Sequence, residues 1–212
     1  KDLEEKKILL RELYHRTKNN MQVISSMLLI QSRNSDNEYV KDSFKETVNK
    51  IDAMALVHQK LYQSKDLSQI NLSEYIEESL KLMMESYGKR SEKITLELEL
   101  EDIFILIDSA IPLGLVLNEL ISNIIKYAFP NFRKGQISLR LYKNKDGTIN
   151  IHLEDNGVGV PVDFDPRSTN TIGLETIFAL VEYQLNGKLT YKIDNGLKWH
   201  IQVKDNKYKR RV

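Results

Sequence analysis

The sequence predicts an α+β chain in which an antiparallel helical hairpin precedes a two-layer α/β sandwich. Three observations carry that expectation. Apolar residues recur at three- and four-residue steps over the first third of the chain, strict alternation of apolar and polar residues takes over after Ile94, and two apolar helical segments interrupt the alternating ones.

The hairpin comes first. From Lys1 to about Arg33 the residues Leu3, Leu10, Leu13, Tyr14, Thr17, Met21, Ile24 and Leu28 share one helical face. After the polar break "NSDNE" at 34–38, Val40, Phe44, Val48, Ile51, Ala55, His58, Leu61 and Tyr62 repeat the spacing, with Asp36 or Asn37 as the cap. A short loop between two such helices makes them antiparallel neighbours. Two helices alone bury little apolar area, so the stripes need a partner, either a second copy forming a four-helix bundle or the rest of the chain. "SKDLSQ" at 64–69 reads as a joint, giving a hairpin domain over 1–66 and a second domain over 67–212.

In the second domain Asn71 with Glu74 three residues on resembles a capping box, opening a helix that ends near Gly88. "ITLELELE" at 94–101, "IFILI" at 103–107, "QISLRLYK" and "TINIHLED" around Lys145-Asp146-Gly147, and "KLTYKI" and "KWHIQV" around Asp194-Asn195-Gly196 read as strands. Helices are expected over Ser109–Ala128 and Ile172–Leu185. The result is a mixed, largely antiparallel sheet of about five strands with three helices on one face. The closing "KYKRRV" reads as a solvated tail.

Composition narrows the function. Of 212 residues, 31 are Lys or Arg and 30 Asp or Glu, so no global positive field points to nucleic acid. Cysteine is absent, which excludes disulfides, thiolate catalysis and Cys-based zinc sites. The histidines stand apart at 15, 58, 152 and 200, a poor basis for a metal site, and the last three read as structural, as do Trp199 and the methionines. No run of about 18 apolar residues occurs, so a cytoplasmic location is expected for this portion. The sequence opens inside a helix, from which an upstream sensor domain or membrane anchor is expected.

Three stretches carry chemistry. In "NELISNIIKYAF", Glu119 and Asn123 lie one turn apart with Lys126 three residues further, an arrangement able to hold Mg2+ by hard oxygens while an ammonium meets phosphates. "EDNGVGVP" at 154–161 ends a strand with Asp155, then Gly157 and Gly159, which let backbone approach a ligand closely. "TNTIGLETI" at 169–177 opens a helix at Gly173, where free amides can face phosphate. Taken singly these are a polar surface helix, a glycine turn and an ordinary helix start. Their succession in this order predicts a nucleotide site. The first helix adds "YHRTKNN" at 14–20, a cluster of polar groups on an otherwise apolar pattern.

"NELISNIIKYAF", "DNGVGVP" and "IGLETI" resemble the N, G1 and G2 boxes of the Bergerat-type ATP-binding fold shared by sensor histidine kinases, Hsp90 chaperones, type II topoisomerases and MutL proteins. "ELYHRTKNNMQVISSMLLIQSR" with "IDAMALVHQKLYQSKDL" resembles the phosphoacceptor hairpin of the histidine kinases related to the HWE group, whose box reads H-R-x-K-N-N. The resemblance spans nearly the whole chain. It implies His15 as phosphoacceptor, Asn123 as the principal Mg2+ ligand with Glu119 beside the metal and the attacking group, and Lys126 and Tyr127 against phosphates and the adenine region. It further implies Asp155 as acceptor for the adenine amine, Gly157 and Gly159 as shapers of that pocket, Thr171 and Gly173 at the phosphates, and 160–172 as a short ATP lid. Departures from the pattern are Ile124 after the metal-binding Asn, Leu197 in place of a Gly-Thr pair, the single glycine of the G2 stretch, and Arg16 where an acidic neighbour commonly follows the histidine.

The activity so implied is ATP-dependent autophosphorylation of His15 and relay to an aspartate of a separate response-regulator receiver domain. Arg11, Arg16 and Lys18 would offset phosphate charge, Asn19 and Asn20 would orient the ring or a water, and Glu12 or Glu119 would serve as base. A homodimer through the hairpin is expected, although the subgroup also has monomers. Alternative readings are a non-catalytic ATP-binding or dimerisation module and a serine-directed kinase or ATPase on the same fold.

Overall fold

The computed structural model describes residues 2–64, 68–161, 163–168 and 172–205. Val162 and residues 169–171 of the expected lid, Thr171 among them, and the "KYKRRV" tail lie outside the described residues.

Helix α1 (Asp2–Arg33) runs antiparallel to α2 (Glu38–Gln63). Asn37 caps α2, its side-chain oxygen accepting from the backbone N–H groups of Tyr39 and Val40. The register is fixed along the hairpin by Ser32 Oγ donating to the Lys41 carbonyl at 3.4 Å and Ser25 Oγ to Asp52 Oδ1 at 3.0 Å. Further along, the His15 and Tyr62 rings lie 6.0 Å apart.

Strand β1 (Gln69–Asn71) leads into α3 (Leu72–Tyr87), whose cap is Asn71 and whose end is set by Gly88 at φ +52°. Strand β2 (Ile94–Leu100) follows. The stretch read as "IFILI" contributes only β3 (Phe104–Leu106), which pairs with β1 in a separate antiparallel ribbon. The physical reason lies at the start of α3. Asp102 accepts hydrogen bonds from Asn71 Nδ2 and Ser73 Oγ, and the Leu72 N–H donates to the Ile103 carbonyl, so this segment is held at the helix end.

Helix α4 (Ile107–Asn123) then crosses the core and is continued by a π-helical turn, Ile124–Ala128. Strands β4 (Gly135–Lys143) and β5 (Thr148–Asp155) form the expected hairpin, α5 (Ile172–Phe178) has its own π-helical continuation over Ala179–Gln184, and β6 (Lys188–Ile193) and β7 (Leu197–Lys204) close the sheet. Strand order is β2-β4-β5-β7-β6, with β2 parallel to β4 and the remaining pairs antiparallel. The mixed five-stranded sandwich is therefore as the alternation predicts.

One face of the sheet, with Ile137, Leu139, Leu141, Ile151, Leu153 and Ile201, packs on α3, α4 and α5. Leu56, Val57 and Leu61 of α2 join the same core, so the hairpin is seated on the sandwich by its second helix. Among the described residues, Ile107–Ala128 is long and apolar enough to cross a membrane, and 72% of its apolar window is buried within the fold, as suits the central helix of a core.

Candidate functional site

The three chemically marked stretches converge. β5 delivers Asp155 at its end, where the side chain is 6% exposed and accepts from the Gly157 N–H at 2.8 Å and the Leu197 N–H at 3.3 Å. Burial pushes its carboxyl above the ordinary range, and the two N–H donors oppose that shift. The loop after Asp155 presses onto the end of the α4 continuation. The Val158 N–H donates to the Ala128 carbonyl at 2.9 Å, and a Cβ at Gly157 would lie 2.4 Å from that same oxygen. Gly159, at φ +71°, turns the chain onward.

Glu119 is nearly buried on α4, and its carboxylate lies so close to the start of α5 that a Cβ at Gly173 would stand 2.1 Å from Oε1. One turn on, Asn123 is half-buried and lines a cavity of about 990 Å3 with Lys126, Tyr127, Asp155, Gly159 and Gly173. That volume lies within the range of ligand pockets. Trp199, Phe164 and Leu174 supply apolar lining. The π-helical turn begins directly after Asn123 and carries Lys126 and Tyr127, a local change of winding of the kind found at functional sites.

The structure thus brings together Glu119, Asn123, Lys126, Tyr127, Asp155, Gly157, Gly159 and Gly173. Thr171 lies outside the described residues. His15 is not brought to them. It sits exposed on α1 beside Tyr62, whereas the cavity meets α2 at Tyr39, Asp42, Ser43 and Glu46. Sixteen residues of helix at 1.5 Å each separate Glu46 from Tyr62, so the two levels are ~24 Å apart along the hairpin axis. Around His15, the Arg16 guanidinium binds Glu12 at 2.7 Å and holds its carboxyl below the ordinary range, and Asn19 Nδ2 lies 3.4 Å from His15 Nδ1.

No sequence motif marks the α2 wall of the cavity. Lys50 Nζ pairs with Glu119 Oε2 at 2.7 Å, and the Lys126 ammonium pairs with Glu46. Burial pulls the Lys126 amine down, but the Glu46 carboxylate together with Tyr87 and Tyr127 outweighs it and the net direction is upward. Glu46 and Lys50 stand four residues apart on one helix, the spacing of an ordinary solvated pair, and each instead reaches across to α4. The Asp194-Asn195-Gly196 pattern marks Gly196 only as a turn residue. At φ +124° it brings β7 so close that a Cβ would lie 1.9 Å from the Asp155 carbonyl oxygen.

The donor set fits a nucleotide with Mg2+. Gly157 and Gly173 let backbone lie against α4 where a side chain would collide, and Asp155 is a buried acceptor at the cavity wall. Among the described residues no group of three or more acidic or histidine side chains gathers for a metal. Mg2+ bound through one or two protein oxygens and the phosphates of its nucleotide needs no such cage.

Comparison with known proteins agrees with this arrangement. A family model described as histidine kinase matches residues 12–87, and one described as histidine kinase-, DNA gyrase B-, and HSP90-like ATPase matches residues 108–207. The sensor histidine kinase PdtaS of Mycobacterium tuberculosis is 31% identical over 183 residues, covering 85% of this chain and 36% of that protein. The blue-light-activated histidine kinase 2 of Erythrobacter litoralis is 25% identical over 181 residues, covering 82% of this chain. The chain spans 36% and 50% of the lengths of these two relatives. Among solved structures, the histidine kinase domain of the Erythrobacter litoralis EL346 blue-light-activated kinase shares the fold, with a TM-score of 0.68 at 19% identity over 95% of this chain and 94% of that one.

Proposed function

The chain belongs to the histidine kinases, and from that premise we propose that it binds Mg-ATP, phosphorylates itself on His15 and passes the phosphoryl group to an aspartate of a response-regulator receiver domain. Residues 1–66 would be the phosphotransfer and dimerisation part and 67–212 the catalytic part. The observation that carries the reading is the cavity in which Asn123, Lys126, Asp155 and Gly173 meet.

In this reading Asp155 accepts the adenine amine, Tyr127 borders the base, and Lys126 meets the phosphates. Asn123 with Glu119 would hold Mg2+, which neutralises triphosphate charge when bound. Imidazole is a competent nucleophile near neutral pH. The His15 Nε2 lone pair forms the bond to the γ-phosphorus, the bond from that phosphorus to its bridging oxygen breaks, ADP leaves, and the Nδ1 proton departs to solvent or a base. Glu12 lies one turn before His15 but is held by Arg16, and Glu119, held by Lys50, stands at the cavity, ~24 Å from the His15 level. Transfer therefore requires a second arrangement in which the catalytic part has moved along the hairpin.

The test is incubation with γ-labelled ATP and Mg2+. Acid-labile, alkali-stable label that disappears in His15→Ala is the expected result. Nucleotide binding without label would favour a non-catalytic ATP-binding module, and acid-stable label a serine-directed kinase.

A further inference from the structure

α2 divides into two halves by what holds it to the sandwich. From Ala53 onward, Ala53, Leu56, Val57 and Leu61 are buried. The half before that is held mainly by polar contacts. Glu46 pairs with Lys126 and Lys50 with Glu119, Ser86 Oγ donates to Asn49 Oδ1 at 2.9 Å, and Asn118 Nδ2 donates to the Asn49 carbonyl at 3.3 Å. The Asn49 amide nitrogen is buried with no acceptor. A polar interface with an unmet donor opens at lower free energy than an apolar one.

Two of these contacts take up side chains that the proposed function assigns to the nucleotide. Glu46 occupies the Lys126 ammonium, and Lys50 neutralises Glu119. The same stretch of α2 also turns Asp42 and Glu46 toward the cavity, so a triphosphate lying against Lys126 would face two carboxylates. The cations nearby do not remove this conflict. Arg90 borders the main cavity but lies 4.0 Å from Asp42, while Lys45 and Lys89 line an adjoining cavity of about 290 Å3, where Lys45 lies over the Tyr87 ring.

We propose that the first half of α2, through Glu46 and Lys50, is a polar clamp that competes with Mg-ATP for Lys126 and Glu119, so that nucleotide binding frees this half while the core-bound second half acts as a hinge. The inference rests on the assignment of Lys126 and Glu119 to the nucleotide site. Linkage makes it reciprocal: whatever the clamp subtracts from ATP affinity, ATP subtracts from the clamp. Opening at this end is also the first part of the movement that the ~24 Å separation from the His15 level demands.

Calorimetric titration of the whole chain with Mg-ATP tests the competition. Glu46→Gln, which removes the competing charge and leaves Lys126 free, is expected to bind ATP about fivefold tighter or more. Movement is read separately. The chain has no cysteine, so Asp36→Cys and Lys145→Cys give two exposed spin-label sites, one on the hairpin loop and one on the β4–β5 turn. Mg-ATP is expected to shift their distance distribution, and adding Glu46→Gln with Lys50→Gln is expected to produce that shift without nucleotide. ATP affinity in Glu46→Gln equal to or below that of the parent, or label distances unchanged in the double variant, overturns the clamp. A parent chain that binds no nucleotide overturns the functional reading instead, and the nucleotide-free distances still decide the clamp.

Discussion

Asp155 concentrates the chemistry of the site in one carboxylate. Its oxygens accept from the Gly157 and Leu197 N–H groups, and burial raises its pKa. An ionised carboxylate is the form that accepts an amine hydrogen bond. ATP affinity is therefore expected to fall as pH is lowered from neutral toward that raised pKa, because protonation turns an acceptor into a donor. Asp155→Asn places an NH2 against one of the two N–H donors, and its loss of ATP binding is expected to be about 1–3 kcal/mol with the pH dependence flattened, as measured by titration at several pH values. Equal affinity and an unchanged pH profile in the variant would remove Asp155 from the site. This residue was legible because its motif is contiguous: a strand end, then Gly157 and Gly159, whose tight packing and positive φ the spacing anticipates. Gly196 was legible only as a turn glycine, as its φ of +124° bears out; its close approach to the Asp155 carbonyl was not, since no local pattern encodes a neighbour on another strand.

At the scale of elements, periodicity found α1 to α5 and the five strands of the sheet, because each has one face in a common core. The "IFILI" stretch does hold a strand, Phe104–Leu106, but apolar content alone cannot tell a strand of the main sheet from one in a short ribbon held by Asp102 at the α3 terminus. Periodicity is silent on the contacts of Glu46 and Lys50, since it says which face of a helix a charge lies on and nothing about what lies opposite. The outer face of the sheet carries a feature that alternation leaves open. His152 on β5 and His200 on β7 are cross-strand partners with rings stacked 4.0 Å apart, and His200 Nε2 donates to Asn150 Oδ1 at 3.0 Å. Burial lowers both pKa values, and His152 lowers that of His200 further. Burial lowers His58 as well. For a histidine whose folded pKa is depressed, the stabilisation is present above the unfolded pKa of about 6.5 and is lost as pH falls through the folded value. The melting temperature is expected to drop between about pH 7.5 and pH 5.5. His200→Gln keeps a donor for Asn150 and removes one member of the stack, so it is expected to make that drop shallower. An equally steep drop in the variant would clear the pair of the effect.

Across the whole molecule, the hairpin has two apolar faces and the sandwich covers one side only. Tyr14, Met21 and Leu28 of α1 are part-covered, whereas Leu9, Leu13, Ile24, Met27 and Ile30 remain exposed at three- and four-residue steps. The steps missing between Leu13 and Ile24 are those of Arg16 and Asn20, so the outer stripe is interrupted where the "HRTKNN" block lies. A second copy packed along this stripe would bury its apolar residues and keep the histidine belt polar, which agrees with dimerisation through the hairpin. A two-fold axis along such a bundle places both copies of His15 at the same height. Pairing would therefore leave the ~24 Å between the His15 level and either cavity unchanged, and the proposed transfer would still require the second domain to move, whichever copy of His15 were the acceptor. Stripe and cavity are also separable, because the cavity is formed within one chain. Ile24→Glu with Met27→Glu, both at exposed positions, is expected to halve the light-scattering mass and leave the ATP dissociation constant within about twofold of the parent, less than 0.5 kcal/mol. A parent that already scatters as a monomer would remove the stripe as a dimer seam, and a variant that loses ATP affinity along with its mass would show that the nucleotide site depends on the second copy.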